Sequence, residues 1–175
     1  MLNTTDRTIL ELLQQDGSLT TPQLADHVAL SVTPCWRRLK RLEKDGFITG
    51  YQANLDRRKL GLDVLAFVQI RFMVVTDAAT QQFEDTILAH PAVLSCHKIT
   101  GEADYMLQVV ATDLDAYGSF METVLRKLPG ISTIHSSLAL REIKATHRFP
   151  LTQVAGKQVS GNVRVSILQS GPAVT

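Results

Sequence analysis

The stretch Ser31-Val32-Thr33-Pro34-Cys35-Trp36-Arg37-Arg38-Leu39-Lys40-Arg41-Leu42-Glu43-Lys44-Asp45-Gly46 decides how the first third of the chain folds. Cys35, Leu39 and Leu42 recur at i, i+4 and i+7, which puts them on one stripe of a helix. Ser31 is placed to cap its start, and Asp45-Gly46 to stop it. At about 100° per residue, Thr33, Arg37, Lys40 and Lys44 project opposite that stripe, with Trp36 and Arg41 on its flanks. Residues 34 to 44 hold Arg37, Arg38, Lys40, Arg41 and Lys44 against Glu43 alone, so the helix is apolar on one side and cationic on the other.

Working towards the N-terminus, two more helices are expected. Ile9, Leu10 and Leu13 recur at helical spacing behind the possible caps Asn3, Thr4 and Thr5, giving a helix over about 5 to 15 that Gly17 can end in a left-handed residue. Thr21 is expected to cap a short second helix with Pro22 in its first turn and Leu24, Ala25 and Val28 inward. Ala29-Leu30-Ser31 then breaks the pattern before the basic helix. Two short helices three residues apart form a helix-turn-helix, whose second member enters a major groove while its apolar side locks on the first. Ser31, Thr33, Trp36, Arg37, Lys40, Arg41 and Lys44 are therefore the candidate contacts to double-stranded DNA. The competing reading is a solvated basic face on an ordinary bundle. The concentration of charge and the tight turn favour DNA.

Working towards the C-terminus, residues 47 to 62 read as a linker: a short extended piece from Phe47 to Asp56, then a polar turn at Arg57-Arg58-Lys59. From Asp63 to Val75 apolar residues fill both alternating sets, signalling a strand covered on both sides. Phe83, Ile87 and Leu88 stripe a helix stopped at His90-Pro91. Residues 93 to 99 and 105 to 111 form two strands hinged at Thr100-Gly101-Glu102-Ala103-Asp104. Asp113 or Asp115 opens a second helix with Leu114, Tyr117, Phe120, Met121, Val124, Leu125 and Leu128 on one stripe, and residues 131 to 143 make the last strand. The order is βαββαβ, the ferredoxin-like split unit, so the chain is α+β. Both helices lie on one face of such a sheet. The other face stays apolar at Leu65, Phe67 and Met73, which calls for a second subunit as cover.

Composition closes off other classes. With 45% hydrophobic and 20% charged residues the chain is that of a protein with a buried core, and its N-terminus shows no basic region leading into an apolar run. No stretch nears the about 20 consecutive apolar residues of a membrane span. Cys35 and Cys96 are far apart without a Cys-x-x-Cys pattern or clustered His, so no disulfide framework, metal site or cofactor is expected, and a cytoplasmic, nucleoid-associated location is. The net charge of +1 divides into +2 over residues 1 to 60, −3 over 61 to 150 and +2 over 151 to 175. The tail from 151 is poor in large apolar groups apart from the alternation Val163, Val165, Ile167.

Five blocks in order give the chain a family likeness: Asp6-Arg7-Thr8-Ile9-Leu10, the stretch from Ser31 to Glu43, Gly46 to Tyr51, Gly101-Glu102-Ala103-Asp104-Tyr105 and Leu128-Pro129-Gly130-Ile131. From residue 4 to about 150 it resembles the Lrp/AsnC feast/famine transcription regulators. The resemblance implies a winged-helix-like N-terminal domain (1–46), a linker (47–62) whose strand pairs across a homodimer, and a RAM/ACT-like effector-binding and oligomerisation domain (63–150), with the tail (151–175) outside it. It implies dimers that assemble further to tetramers or octamers. It also implies a small-molecule effector, usually an amino acid, at Thr100, Gly101, Glu102, Ala103, Asp104 and Tyr105, with Leu114, Ser136, Ser137, Leu138 and Ala139 as further lining. A Gly-containing turn exposes N–H groups that can hold an α-carboxylate, and Asp104 is the expected acceptor for the α-ammonium. Ser137, where many relatives carry a larger residue, implies a roomier or more polar pocket.

Two other readings compete. An effector-independent DNA-organising protein would keep the basic helix without using the turn. The sirohaem decarboxylases are similar in fold and hold a tetrapyrrole with histidines, for which His97 and His135 are the candidates here. The two would lie on opposite edges of a βαββαβ sheet, and a decarboxylase has no need of the basic helix.

Overall fold

A computed structural model of the chain describes residues 2–74 and 76–151. The described chain divides into two compact units: residues 2–53 together with 146–151, and Asn54–Ala145.

The first unit holds α1 (Thr4–Gln15), α2 (Thr21–His27) and α3 (Val32–Lys44). α1 starts in a capping box: the Asn3 side-chain oxygen accepts from the Asp6 N–H at 2.8 Å, and Asp6 Oδ2 accepts from the Asn3 N–H at 3.1 Å. Its end corrects the expectation for Gly17, because the chain leaves in extended conformation at Asp16, whose carboxylate accepts from the Ser18 N–H at 2.9 Å and hydroxyl at 2.6 Å. The cap of α2 is Thr20 rather than Thr21, since Gln23 Oε1 accepts from both the N–H and the hydroxyl of Thr20 at 2.8 Å. Between α2 and α3 the tight connection rests on Ala29, a non-glycine residue at φ +52. α3 ends in a Schellman motif: Gly46 at φ +76 donates to Glu43 O at 3.0 Å and Phe47 donates to Leu42 O at 2.9 Å. Ile9, Leu10, Leu24, Ala25, Cys35, Leu39 and Leu42 make the core.

The linker strand expected after α3 is not formed within one chain. Residues 47–56 lie outside any ladder, and a turn follows at 57–61. A strand needs a neighbouring backbone, which these residues lack in a single copy.

The second unit is β1 (Val64–Phe72), α4 (Asp77–Ala89), β2 (Val93–Lys98), β3 (Tyr105–Ala111), α5 (Leu114–Thr123), a 3-10 turn at Leu125–Lys127 and β4 (Ile131–Leu138). The sheet order is β2-β3-β1-β4 with every pair antiparallel, the split βαββαβ arrangement. Asp113 caps α5 by accepting from the Ala116 N–H at 2.7 Å. Ala66, Val68, Ile70 and Phe72 of β1 pack with Leu107 and Val109 of β3 against Phe83, Ile87, Tyr117, Phe120 and Leu125.

Two strands are shorter than their apolar runs. β1 stops at Phe72, where the pairing with β4 slips between Arg71 and Phe72. β4 stops at Leu138, not at 143, because its neighbour β1 runs out: Ala66 pairs with Leu138, and Ala139 makes the last bond to Leu65 O. On the uncovered face Phe67 is 40% and Met73 78% exposed, as expected of a single copy, but Leu65 is only 3% exposed. It sits opposite Val110, itself buried.

The last described residues lie against the first unit. In residues 146–151, Phe149 donates to Gln14 Oε1 at 2.6 Å, Gln14 Nε2 donates to Phe149 O at 3.2 Å, and Leu151 packs against the helical core. The alternation at Val163, Val165 and Ile167 lies outside the described residues.

Candidate functional site

The outward face of α3 is open. Thr33, Trp36, Arg37, Lys40 and Lys44 are all exposed, while Cys35, Leu39 and Leu42 are buried on the opposite side. Trp36 is half exposed, an amphipathic side chain on the open side of the helix. Ser31, the N-cap, is exposed and its hydroxyl makes no capping bond. Lys40 lies 2.6 Å from Glu43 Oε2, and Glu43 also accepts from the Tyr51 hydroxyl at 3.1 Å. These contacts lower the Glu43 carboxyl from its ordinary value, mostly through Lys40; burial and Glu43 push the Tyr51 hydroxyl up to about 12. Among the described residues Arg37 and Lys44 form no salt bridge, so they are the uncompensated cations of this face.

Arg41 behaves differently from its place on the helical wheel. Arg41 Nη2 lies 2.5 Å from Asp6 Oδ2, and Arg38 Nη1 lies 3.1 Å from Asp6 Oδ1. The Asp6 side chain is fully buried. A carboxylate in that position is sustained only by such partners, so the sequence-based placement of Arg41 among the DNA contacts is set against a structural duty that the sequence did not disclose. In the sequence Asp6 stands out only as the first residue of the block Asp6-Arg7-Thr8-Ile9-Leu10.

In the second unit, the turn between β2 and β3 is closed by Ile99 N–H donating to Asp104 O at 2.9 Å. Gly101 has φ +112 with open space where a Cβ would stand, so its constraint is conformational rather than steric crowding. Thr100, Gly101 and Glu102 are exposed and Ala103 half-buried. Among the described residues the N–H groups of 100–103 donate no hydrogen bond, which leaves four donors on one small turn.

Two of the residues assigned to the effector from the resemblance are occupied. Asp104 Oδ2 accepts from the Phe72 N–H at 2.7 Å and the Asp104 N–H donates to Ile70 O at 2.9 Å, so Asp104 secures the end of β1. Tyr105 is 3% exposed, its ring packs on Phe72 and Phe83, and its hydroxyl donates to Glu84 Oε1 at 2.7 Å. Burial and the Glu84 carboxylate drive that hydroxyl well above the usual phenol range. No local sequence pattern marks the bond from Tyr105 to α4.

The remaining effector candidates lie elsewhere. Tyr105 opens β3 beside the turn, whereas Ala111 at its other end precedes Leu114; six residues of strand put about 20 Å between them. Leu138 pairs with Ala66 at that far end. Ser136 and Leu138 alternate with Ser137, so they point to opposite faces: Ser136 Oγ accepts from the Tyr117 hydroxyl at 2.6 Å, and Ser137 stands opposite Phe67 on the uncovered face. Within one chain the turn 100–105 and the group Leu114, Ser136, Ser137, Leu138 and Ala139 are not brought together. His97 on β2 and His135 on β4 lie on opposite edge strands, so they do not converge either.

The two units match two family models in this order: winged helix-turn-helix DNA-binding over residues 2–49, and the Lrp/AsnC ligand binding domain over residues 65–149. The DNA-binding transcriptional activator DecR of Escherichia coli K12 is 40% identical over 151 residues, spanning 86% of this chain and 99% of its own length. The chain belongs to the Lrp/AsnC family of transcription regulators. Similar to it as well are the Bkd operon transcriptional regulator of Pseudomonas aeruginosa, 40% identical over 86% of this chain and 98% of its own, and a Neisseria meningitidis transcriptional regulator solved as an L-Met complex, 39% identical with a TM-score of 0.83 over 87% and 98%. This Lrp/AsnC regulator thus joins a DNA-binding helix-turn-helix to a ligand-binding sheet domain. Among its described residues no helix is long and apolar enough to cross a membrane.

Proposed function

We propose that this regulator binds pseudo-palindromic duplex DNA as a homodimer or larger assembly, through the α3 face formed by Ser31, Thr33, Trp36, Arg37, Lys40 and Lys44. The observation that carries the reading is the division of α3 into a buried stripe and an exposed cationic face whose Arg37 and Lys44 have no acidic partner among the described residues. A dimer presents two such helices about 34 Å, one DNA turn, or a multiple apart. The test is selection of duplexes from a random pool by the wild type and by Arg37→Ala: wild type enriches a site with two related halves, and the variant loses base preference at one position in each half or loses about one unit of salt slope. Undirected enrichment by the wild type contradicts it.

The effector is an α-amino acid whose carboxylate sits on the free N–H groups of the turn 100–103, at an interface where another copy supplies the group near Leu114 and Ser136 to Ala139. The 20 Å separation within one chain supports an interface site, as does the exposure of Phe67 and Met73 on the uncovered face. The L-Met complex of the Neisseria relative supports the ligand class. Asp104 acts here through the turn's shape, with Oδ1 left for an ammonium. The role is regulatory rather than catalytic, in the cytoplasm on the nucleoid. A thermal-shift screen of the twenty amino acids, paired with sedimentation, tests this part, because a ligand at 100 times its dissociation constant adds about 2.7 kcal/mol. No shift with any of them favours the effector-independent DNA organiser.

A further inference from the structure

Asp6 is the one charged residue among the buried side chains of the described chain, and both of its carboxylate oxygens are turned to α3. It sits in the first turn of α1, already tied to Asn3 by the capping box. Arg38 and Arg41, three residues apart on α3, both reach it and nothing else acidic. The apolar contact between these helices, Ile9 and Leu10 with Cys35, Leu39 and Leu42, is non-directional and tolerates small slides and rotations. A fully buried carboxylate with two guanidinium partners does not, because losing either partner takes away one of the two cations that offset its burial. The contact therefore selects one rotation of α3 about its own axis, and that rotation decides which side chains face outward.

We propose that Asp6 is the positioning residue of the recognition helix: it fixes the rotation of α3 through Arg38 and Arg41 and withdraws those two charges from DNA, leaving Arg37, Lys40 and Lys44 to meet it. The inference rests on the DNA reading above and assigns a duty to three residues that the reading itself does not need. A guanidinium engaged by a protein carboxylate contacts no phosphate and so adds nothing to the salt dependence of DNA binding, whereas a phosphate-contacting cation contributes about 0.9 to the slope of log K against log salt. Charge count and orientation are thus separately measurable.

The experiment measures, for the full chain, affinity for a selected site and for a scrambled duplex over a range of salt, in wild type, Arg37→Gln, Arg38→Gln, Arg41→Gln, Arg41→Lys and Asp6→Asn. The expected result is that Arg38→Gln and Arg41→Gln keep the wild-type salt slope while the ratio of site to scrambled affinity falls by about tenfold, the loss of one base-edge contact. Arg41→Lys, which keeps the ion pair, recovers most of that ratio. Arg37→Gln lowers the slope. Asp6→Asn frees both guanidiniums, so its slope rises as its ratio falls; if it does not fold, the arginine variants decide alone. A slope lost in Arg41→Gln as in Arg37→Gln makes Arg41 a phosphate contact and overturns the proposal, as does an unchanged ratio in both Arg38→Gln and Arg41→Gln. A wild type that binds no duplex overturns the DNA reading first, and is told apart by that arm alone.

Discussion

Gln14 and Phe149 exchange two hydrogen bonds across 135 positions of sequence, the side-chain amide of Gln14 donating to the Phe149 carbonyl and accepting from its N–H. Arg148 adds a bond from Nη2 to Gln15 O at 3.4 Å, at the C-terminal end of α1 where a cation complements the helix dipole. Leu151 packs against the helical core beside them. The ligand-binding domain is therefore joined to the DNA-binding domain by two chain segments, one leaving α3 and one leaving β4.

The second segment should stabilise the helical domain. Gln14→Ala is expected to cost about 1 kcal/mol, the net worth of such bonds at an exposed site, and truncation after Ala145 about 2 to 3 kcal/mol with the added loss of Leu151. Urea unfolding followed by Trp36 fluorescence measures both. Equal stability of the truncated and full chains would show that residues 146–151 merely lie against α1.

The buried carboxylate of Asp6 should appear in the pH dependence of stability. Burial alone would raise its pKa, but the Asn3 N–H and the Arg38 and Arg41 guanidiniums overcome that and hold it below the ordinary 3.8. A depressed folded-state value means that its contribution is fully present above the unfolded-state value and is lost as pH falls through the folded one. Asp6→Asn should therefore be less stable than wild type at pH 7, with the gap narrowing below about pH 4. A gap that stays constant down to pH 2 would contradict the ion-pair account.

Gly101 at φ +112 tests the effector turn. Gly101→Val places a β-branched residue in a region that L side chains rarely adopt, with an expected cost of about 1 to 2 kcal/mol and a loss of amino-acid affinity, since the free N–H groups of 100–103 lose their arrangement. Stability by urea unfolding and affinity by calorimetry give the two numbers. Weakened stability with unchanged affinity would move the carboxylate site away from this turn.

What the sequence disclosed follows from locality. The stripe Cys35, Leu39, Leu42 and the stop at Gly46 depend on neighbours a few residues apart, and the alternating runs of β1 and β3 depend on a period of two, so elements and topology were readable. The ends of elements were not. β4 stops where β1 begins, which is a property of the partner strand, and Thr20 rather than Thr21 caps α2 because of where Gln23 points. Long-range polar contacts were hidden for the same reason: the wheel showed Arg41 on a flank but could not show Asp6 beneath it, and nothing local in Phe149 names Gln14. The resemblance supplied the effector turn, yet only the packing showed Tyr105 spent on Glu84 and the turn about 20 Å from Leu114.

A regulator of this kind senses one small molecule and one DNA site with the same chain. Calorimetry of the amino acid identified by the screen, with the protein alone and saturated with its selected duplex, measures the coupling between the two. Linkage requires the amino acid's affinity to change by the same factor by which the amino acid changes affinity for the duplex, expected to lie between about 5-fold and 150-fold. Equal amino-acid affinity with and without DNA would contradict the account, since a ligand that does not distinguish the two states cannot regulate either.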